Sequence, residues 1–142
     1  MNSTNIIFIL NDLIQSCRDG QEAIRMCLAG IGDRSTREIL MEREAAFAAR
    51  ADELQDLVLA RGGTPETGGS VGGGLRREWF NVKIAILGVN DDAWVIESER
   101  FQDAALRCYR KALNKELPNN VRTIVKRQFG GLLRLAAQTE SV

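Results

Sequence analysis

Apolar residues recur along this chain at helical spacing in four long stretches. Leu10, Leu13, Cys17, Gly20, Ile24, Cys27 and Ile31 are separated alternately by three and four residues, which puts them on one side of a helix. Asp12, Asp19, Glu22 and Arg25 fall outside that stripe. A second stripe runs through Leu40, Glu44, Phe47, Ala51, Leu54 and Val58. A third joins Trp94, Ser98, Phe101, Ala105, Cys108 and Ala112, flanked by Val95, Gln102, Tyr109 and Leu113. The fourth carries Val121, Ile124, Val125, Gln128, Leu132 and Leu135. Between the second and third, Leu75, Trp79, Val82 and Ile86 form the apolar side of a shorter helix.

Punctuation between these stretches sets their limits. Ser3 or Thr4 can cap the first helix, Asp33 or Ser35 the second, and Asn90 or Asp91 the third long one, because such side chains accept from free backbone N–H groups. Glycines in AGIGD, at 62–63 and at 88 suit the left-handed residue that closes a helix. Helices are therefore expected at about 4–30, 35–61, 75–87, 91–115 and 119–140, in a single domain spanning 1–142. Two of the links are short and make their neighbours antiparallel. The link at 62–74 can reach about 43 Å when extended, the length of such a bundle, so the second and third long helices are expected to run parallel. The fold class this implies is all-α, a four-helix bundle whose long crossover contains a short extra helix.

Seven of the thirteen glycines lie in this crossover. A phosphate-binding loop would need a preceding strand and a Lys-Ser or Lys-Thr pair at the helix start. Here Gly74 is followed by Leu75, Arg76 and Arg77, so the stretch reads as a connector. Anion binding at the short helix's N-terminus is the alternative.

The whole chain carries no net charge. Residues 107–134, however, hold Arg107, Arg110, Lys111, Lys115, Arg122, Lys126, Arg127 and Arg134 against Glu116 alone, a net +7, while residues 1–106 are net −6. A solvated face, pairing with the acidic part of another subunit, and contact with phosphates are the three readings of this segment. Nucleic acid is the least favoured partner, because aromatic interleaving and a recognition motif are missing. The apolar opening IIFIL is too short for a signal peptide, and no run reaches the ~20 apolar residues of a membrane helix. Three cysteines without metal or redox spacing point to reduced thiols in the cytoplasm.

Four segments carry a family resemblance. LNDLIQSCRDG at 10–20, GGTPETGGSVGG with RREW shortly after it, ESERFQDAALRCYRKAL at 97–113 and LPNNVRTIVKRQF at 117–129 resemble bacterial ferritin-like four-helix-bundle proteins of unassigned function, some associated with stress responses. The resemblance implies the ferritin-like bundle and a homo-oligomer, and covers nearly the whole chain. It also implies acidic residues and a C-terminal histidine turned into the bundle middle. At those places this chain has Met26, Gln102 and Ala136, while Glu53 keeps its carboxylate.

The candidate chemistry is correspondingly sparse. A di-iron carboxylate site uses two Glu-x-x-His pairs, and this chain has no histidine. Glu44, Glu53, Glu97 and Glu99 are the candidate metal ligands, with iron as the alternative to no cofactor at all. Glu44 is the one carboxylate on an inner stripe; the default is an ion pair with Arg43, Arg50 or an arginine across the bundle. Cys17 and Cys27 lie about 15 Å apart on one helix, too far for a disulfide. All three cysteines fall on apolar stripes and are expected to pack in the core; a redox sensor is the alternative, with Cys108 favoured if it is accessible and Arg107 and Arg110 lower its pKa. Gln102 and Gln128 are expected to bond each other or Glu44 and so set helix register. Trp79, Phe80 and Trp94 seal one end of the bundle or, if exposed, anchor a protein interface. The expectation is a non-catalytic protein acting through self-association or protein contacts. An iron-binding relative with a degenerate site comes second, and anion or nucleic-acid binding through residues 107–134 third.

Overall fold

Helix α1 (Ser3–Gly30) begins where the side chain of Asn2 accepts from the Asn5 N–H at 2.9 Å, one residue ahead of the expected caps. Helices α2 (Arg34–Ala60) and α4 (Asp91–Leu113) start on Asp33 and Asn90, whose side chains accept from Thr36 and Ala93. Helices α3 (Gly73–Leu87) and α5 (Asn119–Glu140) complete the chain. The computed structural model describes the backbone of residues 2–69 and 73–140, and their side chains except those of 73–77 and 138–140. All regular structure among the described residues is helical. The expectations for Leu75, Arg76 and Arg77, including an anion at the start of α3, fall outside the described side chains.

Gly62 and Gly88, at φ 76° and 59°, close α2 and α3 in the left-handed conformation. Helix α1 ends differently. Ile31 follows it in an extended conformation, and the Arg37 guanidinium of α2 donates to the carbonyls of Leu28 and Ile31. The other short turn repeats the device. Arg122 of α5 donates to the Leu113 and Lys115 carbonyls at 3.2 and 2.5 Å. In each helical hairpin an arginine in the first turns of the second helix donates to carbonyls at the end of the first helix and in the turn after it. Asp91 then ties the ends together, accepting from the Gly32 and Asp33 N–H groups at 3.1 and 2.9 Å.

Contacts along the helices give their directions. Gly30 lies under the Trp94 ring and Cys17 meets Tyr109, so α1 and α4 are antiparallel. The Asp33 N–H meets Asp91 and Arg43 lies near the Glu99 charge, so α2 and α4 are parallel. Gln128 reaches Arg50 while Leu135 lies near Leu40, so α5 runs against α2. The crossover climbs beside α1. Gly63 packs on Ile7, Asn11 brackets the backbone at the Thr64 carbonyl and the Glu66 N–H, Gln55 holds the Glu66 carbonyl, and Gly69 touches Asp19. Among the crossover's described residues, the Thr64 carbonyl and the Glu66 N–H and carbonyl are taken up by the two side-chain amides of Asn11 and Gln55.

The α1 stripe is buried throughout. At Gly20 a Cβ would sit 2.8 Å from the Phe47 ring; the missing side chain lets that ring fill the bundle axis. Helix α4 is turned slightly from the expected stripe. Gln102 and Tyr109 are buried, whereas Phe101 and Cys108 are half-buried. Helix α3 departs further. Its inner edge is Trp79, Phe80, Lys83 and Leu87, and the expected apolar positions Val82 and Ile86 are 56% and 71% exposed. The reason is Glu97, whose side chain is only 8% exposed. A buried carboxylate requires a partner, and Lys83 supplies it at 3.1 Å. Turning Lys83 inward turns Val82 and Ile86 out.

Candidate functional site

A hydrogen-bonded line crosses all four long helices at mid-bundle. Tyr109 of α4 donates to Gln128 Oε1 of α5 at 2.6 Å. Cys17 Sγ of α1 lies 3.4 Å from the same phenol oxygen. With the tyrosine proton committed to Gln128, the thiol donates. Gln128 Nε2 donates to Glu53 Oε1 of α2 at 2.7 Å and to the Arg50 carbonyl at 3.3 Å. Arg127 closes the line at the surface, on Glu53 Oε2 at 2.5 Å. The buried Gln128 amide therefore has both its oxygen and its nitrogen engaged. Neither Gln102 nor Glu44 is its partner, contrary to expectation, because Tyr109 and Glu53 lie at its level of the bundle. The Gln102 amide nitrogen is buried without a partner.

The thiol and the phenol of the line are held in their neutral forms. Burial pushes the Cys17 thiol up to about 11, against the Tyr109 hydrogen bond, and raises Tyr109 well above its ordinary value. Cys27 is pushed up to about 12 by burial, with the Glu97 charge adding to it. Cys108 is also raised, by burial and by Asp12. That runs against the alternative of a thiol activated by Arg107 and Arg110, both of which are exposed. Glu53 goes the other way. Burial raises its pKa, but hydrogen bonds from Arg127 and Gln128 and the Arg127 charge outweigh it, and the net shift is downward.

The candidate metal ligands are not brought together. Glu44 pairs at 3.0 Å with Arg25 of the neighbouring α1, a half-exposed side chain, rather than with Arg43 or Arg50. Glu53 belongs to Arg127, and Glu97 to Lys83 and Arg100. Glu99 sits in the α2–α4 groove near the charge of buried Arg43. Among the described residues no three acidic or thiol side chains form a metal-binding group.

The candidate interface aromatics separate as well. Trp94 is 0% exposed, its indole N–H donating to the Gly88 carbonyl at 3.0 Å. It is an end seal and has no surface to offer a partner. Phe80 packs on Trp94 and Trp79 on Phe101, each half-buried. The exposed large apolar side chains of α3 and its turn are instead Val82, Ile84, Ile86 and Val89, the last at 95%. Spacings of four and three put Val82, Ile86 and Val89 on one side, with Ile84 on another.

The basic segment divides among separate places. Arg122 caps α4. Lys111 and Lys115 line an α1–α4 groove with Asp12, and Arg107 and Arg110 an α4–α5 groove with Asp103. Lys126 is exposed. Arg127 and Arg134 line a groove of about 500 Å³ between α2 and α5, joined there by Arg50, Glu53, Gln128 and Gly131. Arg50 is 8% exposed, its guanidinium 5.4 Å over the Phe47 ring. Sequence reasoning missed its place in this groove. The available signal was its spacing of three from Phe47, which puts both on the inner side of α2.

Among the described residues no helix is long and apolar enough to cross a membrane. Residues 5–115, from α1 to just past α4, match the family model described as a domain of unknown function, DUF2383. Among curated proteins nothing matches the chain.

Proposed function

Since the chain belongs to the DUF2383 family, whose function is unassigned, we propose from its own residues that it is a ferritin-like bundle protein acting through self-association, without catalysis or a cofactor. The parallel α2 and α4, with α1 and α5 both running against them, and the single long crossover support the ferritin-like assignment. The observation that carries self-association is the outward apolar stripe Val82, Ile86 and Val89. Its occupant in this reading is a second copy of the chain. A helix face can pack on its own two-fold mate, and zero net charge leaves little long-range repulsion between copies. A cytoplasmic, stress-related role completes the reading, as the resemblance implies; the three free cysteines agree with a reducing setting. Iron is left out because each candidate carboxylate already faces a cation.

Light scattering after size-exclusion chromatography tests the central claim. A dimer or larger species at micromolar concentration, reduced to monomer by the double variant Val82→Ser/Ile86→Ser, is the expected result. A strict monomer in the unsubstituted protein overturns the proposal.

A further inference from the structure

The groove between α2 and α5 contains cations without matching anions. Glu53 is its one carboxylate among the lining residues, and it is held by Arg127 and Gln128. Arg50 has a buried Nη1 with no hydrogen-bond partner. Arg134 makes no ion pair among the described residues. Both guanidiniums converge on a glycine. The point where a Cβ would stand on Gly131 lies 3.7 Å from Arg50 Nη2 and 3.7 Å from Arg134 Nη2, and the equivalent point on Gly130 lies 3.6 Å from Arg134 Nη1. The Gly130–Gly131 pair thus keeps the helix surface bare beneath two cations facing one spot.

Like charges directed at one point from two helices repel unless an anion lies between them. A buried arginine nitrogen without an acceptor carries a desolvation cost, and the orphaned Arg50 Nη1 belongs to the same guanidinium fork as the Nη2 that faces Gly131. Guanidinium forks bind planar or tetrahedral oxyanions through paired N–H donors. The groove's size, about 500 Å³, suits a small molecule. We infer that the α2–α5 groove is a binding site for a small phosphoryl anion, held between Arg50 and Arg134 above Gly131, with Arg127 at the rim. This site is independent of the α3 surface and does not rest on self-association.

The probe is inorganic phosphate, titrated against the full chain with chloride at matched ionic strength as reference. Melting temperature and ³¹P line width are the readouts. Phosphate is expected to raise the melting temperature and broaden the ³¹P line. Arg134→Gln, at an exposed position, is expected to weaken binding by about tenfold, the worth of one charge-assisted hydrogen bond. Gly131→Asp places a carboxylate where the anion would sit; this variant is expected to melt higher than the parent and lose the phosphate response. Circular dichroism confirms that both variants are folded. The same shift with chloride, or an undiminished phosphate response in folded Gly131→Asp, overturns the site. So does binding of a duplex DNA probe through these arginines when inorganic phosphate has no effect.

Discussion

The outer face of α3 and the α2–α5 groove invert the usual sorting of side chains in opposite senses. On α3, Val82 and Ile86 stand in solvent. In the groove, Arg50 and Gln128 are 8% and 4% exposed. One cause underlies both. A buried charge or amide without a partner costs more than an exposed valine or isoleucine. Glu97 orients α3 by demanding Lys83, and Gln128 stays inside because Tyr109, Glu53 and the Arg50 carbonyl satisfy it. Pairing, rather than apolar periodicity, decides how α3 and Gln128 face; Arg50, with its buried Nη1 unpartnered, is the exception.

The comparison breaks most visibly at Lys83. Lys83→Leu leaves Glu97 buried with only Arg100 at 3.8 Å and is expected to cost about 3 kcal/mol in denaturant unfolding; an unchanged midpoint would show that the pair does not orient α3. Next is Tyr109→Phe, which strips Gln128 Oε1 of its donor and should cost about 2 kcal/mol. Adding Gln128→Leu should then cost less than the sum of the single changes, and strict additivity in the double-mutant cycle would deny the coupling. Gln102 offers the opposite sign. Its amide nitrogen is buried without a partner, so Gln102→Leu is expected to stabilise by about 1 kcal/mol, read as a higher unfolding midpoint. On the apolar side, Val82→Ser/Ile86→Ser should change monomer stability by about 0.5 kcal/mol or less per site.

The smallest effect is acidic. Because the folded-state pKa of Glu53 is depressed, its stabilisation is complete above the unfolded value of about 4.3 and is lost as pH falls through the folded one. Stability measured between pH 6 and pH 3 should therefore fall less steeply in Glu53→Gln than in the parent. Identical slopes would remove Glu53 from the account.

Much of the scaffold was legible. Caps at Asp33 and Asn90, left-handed glycines at 62 and 88, and the stripes of α1 and α5 all follow from local chemistry. The candidate site was much less so. Gln128 was visible as an inner amide, but its partners Tyr109 and Glu53 come from other helices, and periodicity says nothing about which residues share a level. Arg50 and Gly131 acquire meaning only together. The ends of α1 and α4 were equally hidden, since Arg37 and Arg122 act across a turn.

By itself, then, the sequence determined the helices, their limits and the long return between α2 and α4, because caps, glycines and apolar spacing act within a few residues. Only the tertiary structure decided how α3 is rotated, which carboxylate each cation serves and where arginines gather without one. Those outcomes depend on distances between helices, and a buried charge takes whichever partner the packing brings within reach.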